Sequence, residues 1–324
     1  MIDDTRQILS IQSHVVHGYV GNKAATFPLQ YRGWNVDSLN TVQFSNHPGY
    51  GSFTGFRDDK ENLYKIIDSG LINGLNIKYN AIITGYLPSV DSLQSISRLV
   101  NDLCIKEQIP WILDPVLGDN GKLYVDMECV TIYKDILSTC QVYLTVPNQF
   151  EMETLTGMKI KDMDTLKRSF QNFHRSYPGV KRVIVSSIDF SMDHSQSTDC
   201  DTYTVAFAES PNFDQFQYFT VEKIQAHFNG SGDLFSALLV DMLFPVVEQS
   251  VTSTLASAVG KALNLTHQIL NKTYRLTVKS VETHPPSETE TVPHIKDLKL
   301  IQCAELLRIR TEDIDIRYPL SQVK

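Results

Sequence analysis

No run of apolar residues in this 324-residue chain approaches the length of a membrane span or of a signal-peptide core, so neither a bilayer anchor nor secretion is expected. The polar first residues, 1–7, lead straight into a strand-like pattern, and the expected location is the cytoplasm, open to the nucleus. Basic charge is not in surplus either. Lys and Arg number 29 against 37 Asp and Glu, and the formal charge of −8 argues against a broadly basic nucleic-acid surface. An anionic substrate would therefore need backbone N–H groups and Mg²⁺. Cysteine is sparse: Cys104, Cys129, Cys140, Cys200 and Cys303 are odd in number and widely spaced, with no pair at metal-ligand spacing, which suits a reducing compartment. His14, His17 and His47 lack the spacing of a zinc site. Two common nucleotide signatures are missing as well, since no Gly-Lys-Ser/Thr loop occurs and the glycines after the first strand do not match the dinucleotide fingerprint. No internal repeat is present.

What the chain does have is ordinary globular composition, 42% hydrophobic and 20% charged, enough to bury a sizeable core. Short β-rich runs at 8–11, 36–39, 81–84, 111–113, 142–146 and 183–186 alternate with helix-period runs at 24–31, 59–67, 91–107, 130–137, 151–156 and 163–177. Asp91 is the expected cap of the third helix. Such alternation predicts an α/β fold: a central, mostly parallel, twisted sheet with helices on both faces and ligands at the carboxyl ends of its strands. Past residue 187 the pattern changes to a polar segment and two β-rich runs, 202–207 and 216–221, read as a mobile hairpin or flap near 188–222. Helices return at 232–243 and 251–270. One domain is expected over 1–280, followed over 281–324 by a solvated linker and a short helical tail at 297–309. Three sequons begin at Asn229, Asn264 and Asn271, but the first lies in a glycine turn and the others in a predicted helix, which argues against glycan acceptors.

The chemistry concentrates at predicted strand ends and helix starts. Gly230-Ser231-Gly232-Asp233 opens an apolar helical run. Its glycines allow successive N–H groups to point at one anion, and Asp233 would stand beside that cradle as a base; the competing reading is an ordinary N-cap. Asp114 and Asp119 follow the 111–113 strand, where Asp119 could hold Mg²⁺ and Asp114 could support a cation or orient phosphates, unless they are simply turn formers. Asn148 and Glu151 have the spacing of a capping box. Ser186 and Ser187 end another strand. Between the first strand and first helix, residues 13–22 form a glycine-bearing turn suited to a second substrate. Residues 44–50 combine aromatics with His47, as a planar-ligand pocket or a surface loop would.

Taken in order, residues 9–14, 18–25, 42–47, 84–86, 114–119, 147–151 and 230–235 resemble the pyridoxal kinases of the ribokinase-like superfamily, over roughly 8–270. The resemblance implies a ribokinase-like fold, use of ATP and Mg²⁺, a homodimer, and phosphorylation of B6 vitamers; the charge balance and the lack of long apolar runs add that no nucleic-acid or membrane partner is expected. By matching position it makes Asp233 the base that takes the proton of the 5′-hydroxymethyl group, with Gly230, Ser231 and Gly232 as the anion hole. Ser13 would bond the pyridine side, Val20, Val42, Phe44, His47 and Tyr86 would shape the vitamer pocket, and Gly21 would allow close approach. ATP phosphates and metal fall to Asp114, Asp119, Asn148 and Glu151; Tyr124 would lie over the phosphates, Ser186 and Ser187 beside the nucleotide, and Ile224, Gln225 and Ala226 along the adenosine. Three positions depart from the family pattern, Ser231 mildly, since it keeps the hydroxyl of the usual threonine. Pro48 replaces a threonine that helps bind the pyridoxal ring. Val146 replaces one that helps hold a monovalent cation, so weak activation by K⁺ is expected. The rival readings are a related kinase for hydroxymethylpyrimidine or a sugar, and a vitamer-binding protein without catalysis.

Overall fold

The computed structural model describes residues 6–190, 201–211, 213, 215–245, 254–281 and 293–323. In chain order, β1 (Arg6–Val15), α1 (Asn22–Tyr31), β2 (Trp34–Phe44) and β3 (Gly55–Arg57) are followed by α2 (Lys60–Lys65), β4 (Ala81–Thr84), α3 (Val90–Glu107) and β5 (Trp111–Leu113). Next come β6 (Gly118–Asp119), β7 (Lys122–Leu123), α4 (Met127–Thr139), β8 (Leu144–Thr145), α5 (Gln149–Thr156) and α6 (Met163–Ser176). The remainder comprises β9 (Arg182–Ile188), β10 (Thr202–Glu209), β11 (Gln217–Glu222), β12 (His227–Phe228), α7 (Ser231–Leu243), α8 (Leu255–Val281), β13 (His294–Ile295), α9 (Ala304–Leu307) and β14 (Leu320–Gln322).

The chain divides into two compact units, 1–57 with 224–317, and 58–223 with 318–324. In the first, β1 and β2 pair in parallel and β3 adds antiparallel to β2. Ile8, Leu9, Ser10 and Ile11 are all buried, as a strand covered on both faces requires. The β1–β2 register slips between Gln12 and His14, because β2 spends one residue more than β1 there. Such a bulge re-aims the strand end, and it places Ser13 and Val42 at the irregularity. Helices α1 and α7 pack together, and α7 also packs on α8. In the second unit, β4, β5, β8 and β9 pair in parallel, and β10, β11 and β14 continue the sheet antiparallel. The predicted α/β class, mostly parallel strands with flanking helices, is what the chain forms.

Several expectations change in detail. Ser89, not Asp91, caps α3, its side chain accepting from the Ser92 N–H, while Asp91 lies in the first turn facing Lys60 at 3.5 Å. Helix α2 runs on into a π turn, Ile66–Ile72. The two expected β-rich runs do form a hairpin, β10 with β11, but it is built into the sheet: β10 also pairs with β9, and Val205, Ala206, Phe207, Phe219 and Val221 are buried. Residues 191–200 of that flap, with Cys200, lie outside the described residues, as do 251–253 of the eighth predicted helix and 282–292 of the predicted linker. The expected helix at 297–309 shrinks to one 3-10 turn, Ile301–Cys303, and the four residues of α9. Tertiary bonds compete with helix formation there, since the Lys299 N–H donates to Thr273 Oγ1 at 3.1 Å. Residues 293–317 are built into the first unit and 318–323 into the second, so the tail is structural on both sides of that division.

Candidate active site

The first unit assembles the glycine turn. Gly230 caps α7 in the left-handed region, φ 80°, which a side chain there would strain, and an added Cβ would also strike the Tyr19 carbonyl. With Gly230 so placed, α7 starts at Ser231 and Asp233 falls in its first turn. Gly21 caps α1 with φ 53°, and its N–H donates to Asp233 Oδ2 at 2.8 Å. Two helix starts therefore meet at this carboxylate, which is partly buried. Burial pushes the Asp233 carboxyl up to about 6, and the Gly21 N–H holds it back from rising further. A carboxylate of that kind is ionised at neutral pH yet basic enough to accept a proton from an alcohol. The competing N-cap reading is not what forms: Gly230 occupies the cap position, and no side chain caps α7.

Beneath the 13–22 turn lies a polar network that sequence reasoning missed. Buried Asn22 donates to the Leu39 carbonyl and to Asn40 Oδ1, each at 2.9 Å, and accepts from Ser10 Oγ at 2.7 Å, while Gln12 donates to Ser10. These bonds tie β1, α1 and β2 together behind Ser13 and Gly21. The only signal was a polar residue at alternate positions of an otherwise apolar strand. Val42 and Phe44 are buried, with Phe44 against Phe53 at 4.7 Å between ring centres. Val20 and Ser13 are partly exposed, as are Ile224 and Ala226, and Gln225 is exposed. His47 is buried; its Nδ1 accepts from the Gly49 N–H at 3.2 Å, and its Nε2 lies 2.8 Å from the Lys296 carbonyl. Burial lowers the His47 imidazole below its usual range.

The second unit holds the other candidate residues. Asn148 and Glu151 do form a capping box at the start of α5. Glu151 does more than cap, because Oε1 also accepts from the Leu117 and Gly118 N–H groups at 2.9 and 3.4 Å, and Asn148 Nδ2 donates to the Gly118 carbonyl at 2.8 Å. The buried box thus fixes the loop that carries Asp114 and Asp119. Burial, then the charge of Asp114, raises Glu151 well above the usual carboxylate range, against three backbone N–H bonds. Asp119 is exposed and is bonded by both N–H donors of Asn120. Tyr124 is 57% exposed, with its phenol raised by burial and by Asp119 and Glu151. Tyr86 is partly buried in this same unit. Ser186 bridges to Asn148 and donates its N–H to the Pro147 carbonyl at 3.0 Å, and Ser187 is left-handed at φ 56°. Left-handed conformation is costly for serine and clusters at functional sites.

Comparison with known proteins places the chain in a family. The phosphomethylpyrimidine kinase family matches residues 65–284. A Saccharomyces cerevisiae protein named "Putative pyridoxal kinase BUD17" is 50% identical over 94% of this chain and 93% of its own length. The pyridoxal kinase of Arabidopsis thaliana is 38% identical over 73% of this chain and 74% of its own, and that of Homo sapiens 32% identical over 84% and 86%. Among solved structures, pyridoxal kinase from Leishmania donovani in complex with ADP and pyridoxine superposes with a TM-score of 0.77 at 27% identity, covering 99% of this chain and 100% of that one. The Entamoeba histolytica pyridoxal kinase shares the fold at a TM-score of 0.79, with 21% identity over 98% and 100% of the two chains. The chain belongs to the phosphomethylpyrimidine kinase family and, within it, to the pyridoxal kinases.

Proposed function

We propose that this protein transfers the γ-phosphoryl group of ATP to the 5′-hydroxymethyl group of pyridoxal, pyridoxine or pyridoxamine. The observation that carries the reading is Asp233, held by the Gly21 N–H on a left-handed glycine turn and tuned to about 6 in a chain of the pyridoxal kinase family. Asp233 accepts the alcohol proton as the oxygen attacks phosphorus. The N–H groups of Gly230, Ser231 and Gly232 bind the negative oxygens of the transferring group, where the positive end of α7 adds to them. Ser13, Val20, Val42, Phe44, His47 and Tyr86 receive the vitamer, with Gly21 allowing close approach. Asp114, Tyr124, Asn148, Glu151, Ser186, Ser187, Ile224, Gln225 and Ala226 are the nucleotide residues.

Mg²⁺ fits the oxygen donors on the β5–α5 side. An Mg²⁺ ion held partly by nucleotide phosphates needs only one or two carboxylates from the protein. Exposed Asp119 would hold it, with Asp114 and Glu151 behind; bound there, Mg²⁺ supplies charge neutralisation on the phosphates. Val146 offers no side-chain oxygen to a monovalent cation, so exchange of K⁺ for Na⁺ is expected to change turnover little. The surroundings assigned to the protein are the cytoplasm, and the assembly a homodimer. Among the described residues no helix is long and apolar enough to cross a membrane.

The test is direct: ATP, Mg²⁺ and pyridoxal are incubated with the protein and pyridoxal 5′-phosphate is measured. Robust product is expected, falling about 10²–10⁴-fold in Asp233→Asn. Near-normal turnover by that variant would remove Asp233 as base; absence of product from the native chain would remove the kinase reading. A hydroxymethylpyrimidine alcohol is the rival acceptor, and competition between the two acceptors at equal concentration decides between them.

A further inference from the structure

The C-terminal segment that follows β13 opens the stretch expected to be a short helical tail, yet it closes over the turn that carries His47. β13 pairs in parallel with β12, next to the glycine turn, and Asn229 Nδ2 meets His294 Nε2 at 2.8 Å. Two residues further on, Lys296 and Asp297 reach the 47–50 turn. The Lys296 carbonyl takes the Nε2 hydrogen of His47 at 2.8 Å, and its ammonium lies 4.8 Å from the Tyr50 ring centre. Asp297 Oδ2 accepts from the Tyr50 hydroxyl and stands 3.7 Å from His17 Nε2. Its other oxygen, Oδ1, is buried without a hydrogen-bond partner, 4.0 Å from His47 Nε2 and packed against Gly18, where any side chain would strike it. A buried oxygen left unbonded is unfavourable, and it is kept here at the junction of the 17–21 and 47–50 turns.

We propose that Asp297 is a positioning residue for the acceptor pocket, the C-terminal strap holding Tyr50 and His47 in the orientation that receives the vitamer. The inference rests on the reading of His47 and the 17–21 turn as pocket walls. With Nδ1 accepting from Gly49 and Nε2 donating to Lys296, the imidazole is the neutral Nε2–H tautomer, gripped at both nitrogens. Tyr50 is gripped in turn by Asp297 on one side and faced by the His47 ring at 4.9 Å between centres on the other. The strap thus contacts both the His47 and the Tyr50 side chains of the 47–50 turn. Releasing Asp297 frees Tyr50 first and His47 with it.

The experiment measures KM for pyridoxal and for ATP in the native protein, Asp297→Ala, Asp297→Asn, Tyr50→Phe and the Asp297→Ala/Tyr50→Phe double variant, alongside nitrogen-15 spectra of the His47 ring. KM for pyridoxal is expected to rise about tenfold in Asp297→Ala and in Tyr50→Phe, with KM for ATP within about twofold, and the double variant no worse than either single one. Asp297→Asn, whose amide oxygen still accepts from Tyr50, should recover most of the loss. The His47 spectrum should show the Nε2–H tautomer in the native chain and mixed tautomers in Asp297→Ala. Equal rises in both KM values, or additive effects in the double variant, would overturn the proposal, because a general loosening does that. Should the native chain make no pyridoxal 5′-phosphate, the kinase reading fails separately, and an unchanged His47 spectrum in Asp297→Ala overturns the strap without any turnover; Tyr50→Phe gives the same spectral reading if Asp297→Ala does not fold.

Discussion

Asp233 carries the heaviest chemical demand of any single residue, and its environment makes a pH prediction. Its carboxyl is raised by burial to about 6, so the ionised fraction falls as the pH drops through that value. The turnover of the native protein should therefore decline below about pH 6, and that limb should be missing from the residual rate of Asp233→Asn, as a pH–rate profile will show. Stability should run the other way. A carboxyl raised above its unfolded value of about 3.9 favours the folded state most fully below that value, and the advantage is lost as pH rises through about 6. Asp233→Asn is accordingly expected to gain about 1–2 kcal/mol at neutral pH, allowing for partial exposure, with the gain absent near pH 4. Parallel denaturant curves at the two pH values check it; a loss of stability at neutral pH would mean that the Gly21 N–H outweighs burial.

At the scale of elements, the start of α5 shows how one capping box serves a neighbouring loop. Glu151 bonds the backbone N–H groups of Asn148, Leu117 and Gly118, so the helix terminus and the loop carrying Asp119 share one carboxylate. Gly118 is pressed so closely on the Lys122 carbonyl, across the β6–β7 hairpin, that no side chain fits there. Glu151→Ala leaves three N–H groups unpaired, two of them in the buried loop. A cost of about 2–4 kcal/mol in unfolding free energy is expected, with a raised KM for ATP and an unchanged KM for pyridoxal. A variant with native stability and native KM for ATP would show the box to be dispensable.

For the molecule as a whole, the C-terminal residues are part of the fold. Ile295, Leu298, Leu300, Cys303 and Leu307 are buried, the Arg32 guanidinium bonds the Leu307 and Ile309 carbonyls, and Asn264 bonds that of Asp315. Arg32 is itself anchored to Asp241, which also accepts from Arg6 and Trp34 at 2.9 and 3.0 Å. Five apolar side chains at about 1.5–3 kcal/mol each amount to the whole stability of an ordinary domain. A chain truncated after residue 293 is therefore expected not to fold, which expression followed by circular dichroism will test; a soluble truncated chain with a cooperative unfolding transition would refute it.

Much of this protein was legible in its residues alone, for reasons that are local. Helix boundaries follow from periodicity and caps, and the starts of α1, α5 and α7 fall within two residues of their predicted positions. The base on its glycine turn could be read because left-handed glycine and a first-turn carboxylate are both properties of a few adjacent residues. Other features required the fold. The runs at 202–207 and 216–221 pair as the hairpin their residues suggest, but that β10 joins the sheet beside β9 depends on a partner in space. The tail expected to be helical over 297–309 keeps only a 3-10 turn and the four residues of α9, because its buried leucines answer to partners in space, α8 and the Arg32 clamp, and not to a helical period. Nothing near Lys296 announces His47, which lies 249 residues away in sequence, and only tertiary packing brings that carbonyl to the imidazole. Sequence determines what is set by neighbours along the chain; the orientation of the acceptor pocket is set by neighbours in space.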